Sequence, residues 1–426
     1  MDYKAETPFK LTTLATFLLA ALAIWVPSGY SYGAVLLLAG ALFYAPRWAR
    51  SRPEPRTLWL ALLLVGMGCM WFFLSLDRGM GRWDKGIKWL LGVPCLLFIA
   101  AYPPRPQAFF WGLPVGCIGM GSLAAWQAWA QGMERPEGYT NAIQWGNLAL
   151  LLGCMAMVCA AIFWRWRAWW WRAFMAVAVV AGVAASLLSQ SRGGWLAVVL
   201  IFPALLTQVR QIRPRLFGRL LALSVALLLA LVVVLAVTPR FHERIGQAVE
   251  EITQYFNAGI AGTSLGVRLD QYRLVADMIP QKPWLGWGAH GYVAEMTRRV
   301  ELGEFDKALV FYPQVHNDFL DIWVKVGVFG VLLQAALFAY VLFLFWPTRR
   351  RLQQWPESSS SWHDALALRV LGSLIPVAYL MFGMSQPFFN HNSGIMFFVF
   401  YVSVLWAALR GVERGIWPLG EAKSVP

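Results

Sequence analysis

The chain has 426 residues, of which 59% are hydrophobic and only 14% are charged. A soluble protein of this size has no interior large enough for so much apolar surface, so the composition excludes a soluble domain and indicates a polytopic helical membrane protein. The net charge of +14 does not indicate a nucleic-acid partner, because the Lys and Arg residues cluster in short links between apolar segments, as in oriented membrane proteins.

Apolar segments of near the ~20 residues that cross a bilayer core predict about twelve transmembrane helices in an all-α protein. Nine precede a long polar stretch and three follow it, which divides the chain into residues 1–238, a polar loop domain at 239–317, and residues 318–426. We interpret the first segment as an uncleaved span rather than a signal peptide. The predicted spans are 11–27, 31–46, 57–76, 86–101, 107–129, 143–163, 173–188, 192–209, 219–238, 318–346, 366–386 and 393–410.

Basic residues collect in alternate links, which predicts the orientation of the chain. The positive-inside rule places those links and both termini in the cytoplasm, and the long loop outside. Shorter links on the outer side are predicted at 27–30, 77–85, 130–142, 189–192 and 387–392.

The external loop contains signals for ordered helices. Apolar residues recur at helical spacing over 243–256, which predicts an amphipathic helix lying against the membrane. A second helix is expected to begin after Thr263, a candidate N-cap, and to end at Pro280. The sequence Trp284-Leu-Gly-Trp-Gly predicts a tight glycine turn.

Arg192 lies between two apolar spans and is followed by Gly193 and Gly194. An arginine at a helix centre in the bilayer costs about 2.5–3.5 kcal/mol, so it usually faces a cavity or a partner. The alternative is an arginine that snorkels to the interface. The two glycines favour a ligand site, because they let a large group approach the backbone.

The predicted topology brings Arg268 and His316 to the same membrane face as Arg192. Two guanidinium groups and an imidazole suit a phosphorylated ligand and a proton transfer. The alternatives are an Arg268–Asp270 salt bridge, and a structural His316 beside a helix cap at Asn317 or Asp318. Asn317 or Asp318 is also a candidate to orient the His316 ring.

Among the other histidines, His391 in the outer link at 387–392 is the reserve candidate for a general base. The sequence predicts neither a metal nor a cofactor. It contains no DxD or HExxH motif, and its five cysteines all fall within apolar segments.

Two motifs resemble those of a known family. Ser191-Arg192-Gly-Gly-Trp195 and His316-Asn317-x-x-Leu320-x6-Gly327-x-x-Gly330 are similar to signatures of the bacterial O-antigen ligases and the related O-antigen polymerases. The layout of twelve spans with one large loop after the ninth, Arg268 in that loop, and the glycine turn are also similar.

This resemblance implies a membrane-embedded, inverting, metal-independent glycosyltransferase with a GT-C-like fold. It implies transfer of O-antigen from undecaprenyl pyrophosphate to a sugar hydroxyl of lipid A–core, at the periplasmic face of the bacterial inner membrane. His316 is the expected general base. The expected substrate-binding residues are Arg192, Gly193, Gly194, Arg268, Asn317 and His391.

Two other functions remain open. A polymerase would use the same lipid-linked donor but a second lipid-linked glycan as acceptor. A lipid or glycan transporter would favour ionisable residues in the middle of spans. The predicted spans are almost free of such charges, and Lys325 and Arg369 lie near span ends.

Overall fold

A computed structural model of the protein describes residues 3–77, 83–219 and 263–417, together with isolated positions between 221 and 257. The ninth predicted span and the amphipathic segment 243–256 lie almost entirely outside the described residues. Within the described ranges, all regular secondary structure is helical.

The first half of the chain forms helices that follow the predicted spans, with one short additional helix. They are α1 (Tyr3–Leu22), α2 (Gly29–Phe43), α3 (Ala45–Trp48), α4 (Pro55–Asp77), α5 (Asp84–Ala101), α6 (Pro106–Ala125, extended by a π-helical turn at Trp126–Ala130), α7 (Ala142–Phe163), α8 (Trp169–Leu188) and α9 (Arg192–Ile212).

The second half contains the loop domain and the last spans. Its helices are α10 (Ser264–Met278), α11 (Gly288–Glu301), α12 (Asp318–Val326), α13 (Val328–Phe345), α14 (Arg349–Leu352), α15 (Ser360–Ser385) and α16 (Asn392–Glu413). Short 3-10 turns lie at Ile279–Gln281, Lys307–Phe311 and Phe388–Asn390.

Eight helices in the described part are long and apolar enough to cross a membrane: α4, α6, α7, α8, α9, α13, α15 and α16. The helices α1, α2 and α5 coincide with predicted spans, although α2 has only 15 residues and the other two begin with charged residues. The polytopic membrane architecture is therefore confirmed, whereas the count of twelve spans and the GT-C-like fold stay predictions.

Helices α15 and α16 form the centre of the bundle. In the most apolar part of α16, 94% of the residues are buried, and in that of α15 the share is 83%. A helix that is apolar on all sides is stable only when it is surrounded by other helices or by lipid. Aromatic rings join the two helices, with Tyr379 of α15 packing on Phe398 of α16 at 5.1 Å between ring centroids.

The loop domain has a second, smaller hydrophobic core of its own. Leu274 and Met278 of α10 pack with Tyr292 and Met296 of α11 in this core. Val324 of α12 belongs to it as well. The loop domain is therefore seated directly on α12, the helix that follows His316.

The prediction of one continuous tenth span at 318–346 is wrong, because Gly327 separates α12 from α13. Gly327 has φ 84°, a conformation that a residue with a Cβ adopts only under strain. The predicted glycine turn packs against this break. The N–H of Val328 donates to Pro283 O at 2.9 Å, and the N–H of Trp287 donates to Val324 O at 2.7 Å.

Candidate functional site

One face of α10 carries three polar side chains toward the end of the loop domain. The helix begins as predicted, with the Thr263 hydroxyl accepting from Gly266 N at 3.0 Å. Arg268, Gln271 and Tyr272 follow at positions i, i+3 and i+4, a spacing that places them on one side of a helix. The Tyr272 hydroxyl donates to His316 O at 3.3 Å, so this side faces His316.

Gln271 is the side chain that orients the His316 ring. It is fully buried. Its Oε1 lies 2.8 Å from His316 Nδ1 and accepts from His316 N at 3.0 Å. Its Nε2 donates to Gln314 O at 2.8 Å and to Tyr312 O at 3.2 Å. One amide therefore holds both the ring and the backbone on either side of it.

The same loop is held from the opposite side by α12. Asp321 accepts from Val315 N at 2.9 Å and forms a buried ion pair with Lys325. Lys325 also donates to Pro313 O at 3.3 Å. The segment that carries His316 is thus fixed by side chains of α10 and α12, although its own backbone is not helical.

The surroundings of His316 favour a neutral ring. Burial and, to a smaller extent, the positive charge of Arg268 together lower the pKa of His316 to about 4, although the charge of Asp321 acts to raise it. A neutral imidazole has one nitrogen with a lone pair. Among the residues that the structure describes, none makes a hydrogen bond to His316 Nε2.

Asn317 and Asp318 do not contact the ring nitrogens of His316 in the described structure. The Asn317 Oδ1 caps α12 by accepting from Phe319 N at 3.0 Å and Leu320 N at 3.1 Å. Asp318 is buried against Gly383 of α15. Contact of Asn317 with substrate stays a prediction.

Gln271 was missed by the sequence analysis. Its position three residues after Arg268 is a signal that could have identified it, because residues i and i+3 lie on the same face of a helix.

Arg268 makes no ion pair with an acidic residue in the described part of the chain. Asp270, the partner that the sequence suggested as an alternative, accepts instead from the Tyr255 hydroxyl at 2.7 Å. The guanidinium of Arg268 lowers the pKa of Tyr272 as well as that of His316, although burial raises the pKa of Tyr272 overall. Arg268 is therefore near enough to His316 for its charge to act on the ring, and its role in binding a ligand stays a prediction.

Arg192 is the first residue of α9, and its neighbours pack tightly against other spans. A Cβ on Gly193 would lie 2.2 Å from Ser385 Oγ, and one on Gly194 would lie 2.6 Å from Asn147 Oδ1. The described surroundings of the two glycines are thus contacts with α15 and α7. Their role in binding a ligand, and that of Arg192, stay predictions.

His391 is in a different environment from His316. The Gln386 amide nitrogen lies 2.9 Å from its Nε2, and the Asn141 amide nitrogen lies 3.3 Å from its Nδ1. Burial and the charge of Lys85 lower the pKa of His391 to about 4. Both ring nitrogens have side-chain partners, so this histidine links the starts of α7 and α16.

The outer link at 387–392 is joined to the helix that follows His316. Asn390 donates to Asp321 Oδ2 at 3.2 Å and accepts from Lys85 Nζ at 2.8 Å. An apolar groove lies beside this network, between α4 and α13, and Lys325 lies at its edge. Its other lining residues include Phe73, Leu74, Leu285, Phe329 and Leu333.

The site offers cationic and imidazole groups rather than a carboxylate cage. Within the described ranges, no group of three or more His, Cys, Asp or Glu side chains is arranged to hold a metal ion. A neutral imidazole beside a guanidinium can accept a proton and attract a phosphate in the same place.

Two comparisons relate this chain to known proteins. Residues 178–335 match the sequence profile of a family described as O-antigen ligase. This region runs from α8 through the loop domain to α13 and includes Arg192, Arg268 and His316. The chain is also 25% identical, over 379 residues, to an uncharacterized protein of Haemophilus influenzae, covering 88% of this chain and 92% of that protein.

Proposed function

We propose, from the match of residues 178–335 to the O-antigen ligase family, that this chain is an inverting glycosyltransferase of the bacterial inner membrane. It transfers O-antigen from undecaprenyl pyrophosphate to a sugar hydroxyl of lipid A–core, with the loop domain and active site on the periplasmic face and both termini in the cytoplasm. The observation that carries the proposal is the environment of His316, at the junction of the loop domain and the bundle. Gln271 holds the imidazole ring, and burial together with the charge of Arg268 lowers its pKa.

His316 is the general base of this reaction. Its Nε2 takes the proton from the acceptor hydroxyl while the hydroxyl oxygen forms a bond to the anomeric carbon of the donor sugar. The bond from that carbon to the diphosphate oxygen breaks, and its electron pair leaves with the diphosphate. A general base of this kind contributes about 10²–10⁴-fold to the rate.

Arg192 and Arg268 hold the diphosphate of the donor. Charge-assisted hydrogen bonds strengthen as negative charge develops on the leaving group, which lowers the barrier. In this proposal the two guanidinium groups take the place of a divalent metal. Full transfer after exhaustive chelation is expected; activity that disappears with EDTA and returns with magnesium or manganese would contradict it.

The acceptor side is formed by the loop domain and the link at 387–392, and the lipid tails lie between spans. The support for this arrangement is the apolar groove between α4 and α13, which lies beside the Asp321–Asn390 contact. Asn317, Gly193 and Gly194 complete the proposed substrate-binding set, and His391 contributes to it by holding the link at 387–392 in place.

The test is reconstitution of the purified protein with a labelled lipid-linked donor and either lipid A–core or a second lipid-linked glycan. Label on lipid A–core supports the ligase, and elongation of the second glycan supports a polymerase instead. Movement of the label across the membrane without a new glycosidic bond would support a transporter and overturn the proposal.

The matched pair His316→Ala and His391→Ala tests the base within that assay. The first variant is expected to bind donor lipid but to lose transfer by about 10²-fold or more. The second is expected to retain transfer, because the partners of both ring nitrogens indicate a structural role. The reverse result would assign the base to His391.

A further inference from the structure

We propose that Gln271 is a positioning residue that selects the reactive tautomer of His316, with the proton on Nδ1 and the lone pair on Nε2. This inference rests on the proposed function, since it names how the base of that reaction is prepared. It adds a residue whose side chain acts through His316.

The direction of the Gln271 amide is determined by three backbone groups. Its nitrogen faces two carbonyl oxygens, Gln314 O at 2.8 Å and Tyr312 O at 3.2 Å. Its oxygen faces the N–H of His316 at 3.0 Å. Turning the amide over would set oxygen against two oxygens and NH₂ against an N–H, so only one orientation satisfies the network.

This orientation determines the proton position on the imidazole. The Gln271 Oε1 has no hydrogen to donate, and it lies 2.8 Å from His316 Nδ1. Nδ1 must therefore be the donor, and in the neutral ring Nε2 is then the acceptor. Nε2 has no hydrogen-bond partner among the described residues, so its lone pair is available to a hydroxyl group.

The charged and titratable groups around the ring come from three elements. Arg268 and Tyr272 approach it from α10, Asp321 (paired with Lys325) from α12, and Tyr312 from the loop, with its ring centroid 5.5 Å from that of His316. None of these accepts a proton from Nδ1, so the selection of the tautomer belongs to Gln271.

A purely structural role for Gln271 makes a different prediction from tautomer selection. The structural role depends on the contacts of the amide with the loop backbone, which are the Nε2 donations to Tyr312 O and Gln314 O and the Oε1 acceptance from His316 N. Methionine loses all three contacts and glutamate loses the two donations, so the structural role predicts damage from both variants with no change in the pH dependence. Tautomer selection depends on the Oε1 acceptor, which glutamate keeps and methionine lacks.

The experiment compares kcat and KM for glycan transfer by the full-length reconstituted protein from pH 4 to 9. Gln271→Met is expected to lower kcat by about tenfold or more at every pH, with little change in the KM for donor lipid. Gln271→Glu is expected to recover most of this loss above pH 8. A carboxylate beside the ring raises the pKa of His316. As the pH is lowered, Gln271→Glu should therefore lose activity at a higher pH than the wild type does.

Gln281 provides the matched control in the same domain. It is exposed, and its Nε2 donates to Asp277 O at 2.9 Å, away from the site. Gln281→Glu and Gln281→Met should leave the pH profile unchanged. Equal damage from the two Gln271 variants, with no change in the pH dependence, would overturn tautomer selection.

A spectroscopic measurement tests the tautomer without turnover. In protein labelled with ¹⁵N-histidine, with His316→Ala used to assign the signals, Nδ1 of His316 should be protonated and Nε2 unprotonated at pH 7. Gln271→Met should shift this population toward the Nε2–H form. A protonated Nε2 in wild type would refute the inference even if transfer is active. Wild-type transfer by His316→Ala would instead refute the proposed base and leave this measurement interpretable.

Discussion

The carboxylate of Asp321 accepts a hydrogen bond from the backbone N–H of Val315 at 2.9 Å, one residue before His316. The same carboxylate is paired with Lys325, and both side chains are at most 3% exposed. The loop that presents His316 is therefore anchored on a buried ion pair in α12.

We predict that removing one member of this pair is strongly destabilising. Asp321→Asn or Lys325→Met breaks the buried ion pair by removing one partner, which typically costs about 3–5 kcal/mol. The measurement is the unfolding midpoint of the purified protein in detergent. Arg213→Gln serves as control, because the Arg213–Glu357 pair is exposed and such pairs contribute about 0–1 kcal/mol. Equal shifts in the two cases would contradict the prediction.

Gly327→Ala is predicted to disrupt the junction between α12 and α13. An added Cβ would lie 2.0 Å from Trp284 O, in a residue with φ 84°. The strained conformation costs about 1–3 kcal/mol, and the clash with the glycine turn adds to it. Gly415→Ala separates the two effects, since Gly415 has φ 62° but nothing within 4 Å of the added atom. Thermal unfolding should show a clearly larger loss for Gly327→Ala.

The pH dependence of transfer should follow the low pKa of His316. The pKa of about 4 means that the base is neutral above about pH 5 and becomes protonated, and inactive, as the pH falls through 4. An unperturbed histidine, with a pKa of about 6.5, would already lose activity below pH 7. A wild-type pH–rate profile with an acidic limb near 6.5 would contradict this assignment.

Arg268→Gln is predicted to raise the pKa of His316, because it removes the positive charge that disfavours the imidazolium. The acidic limb of the pH–rate profile should then move to higher pH. Arg268→Lys keeps the charge, so it should keep the limb near its wild-type position. Its rate should still fall, because lysine lacks the two-pronged geometry that suits a diphosphate.

His391→Ala is predicted to affect stability more than catalysis. The variant loses contacts to Gln386 and Asn141, which tie α15 and α7 to the start of α16. Each buried amide left unpaired costs about 1–3 kcal/mol. A lower unfolding midpoint with transfer near the wild-type rate is expected, and the opposite pattern would indicate direct participation in the reaction.

Some features of this protein were determined by local sequence. The apolar segments predicted the positions of helices α1, α2, α4 to α9, α15 and α16 closely, because a helix in a bilayer satisfies its own backbone hydrogen bonds and needs only sufficient apolar length. Thr263 and the glycine turn were also predictable, since a cap and a turn depend on a few adjacent residues.

The tertiary structure decided the partners of the candidate base. Gln271 and His316 are 45 residues apart, and Asn390 and Asp321 are 69 apart. Contacts over such separations depend on how helices dock, which local propensity does not determine. The break at Gly327 has the same origin. The apolar sequence by itself favours one continuous helix, and the break is stabilised by packing against Pro283 and Trp284 in the glycine turn.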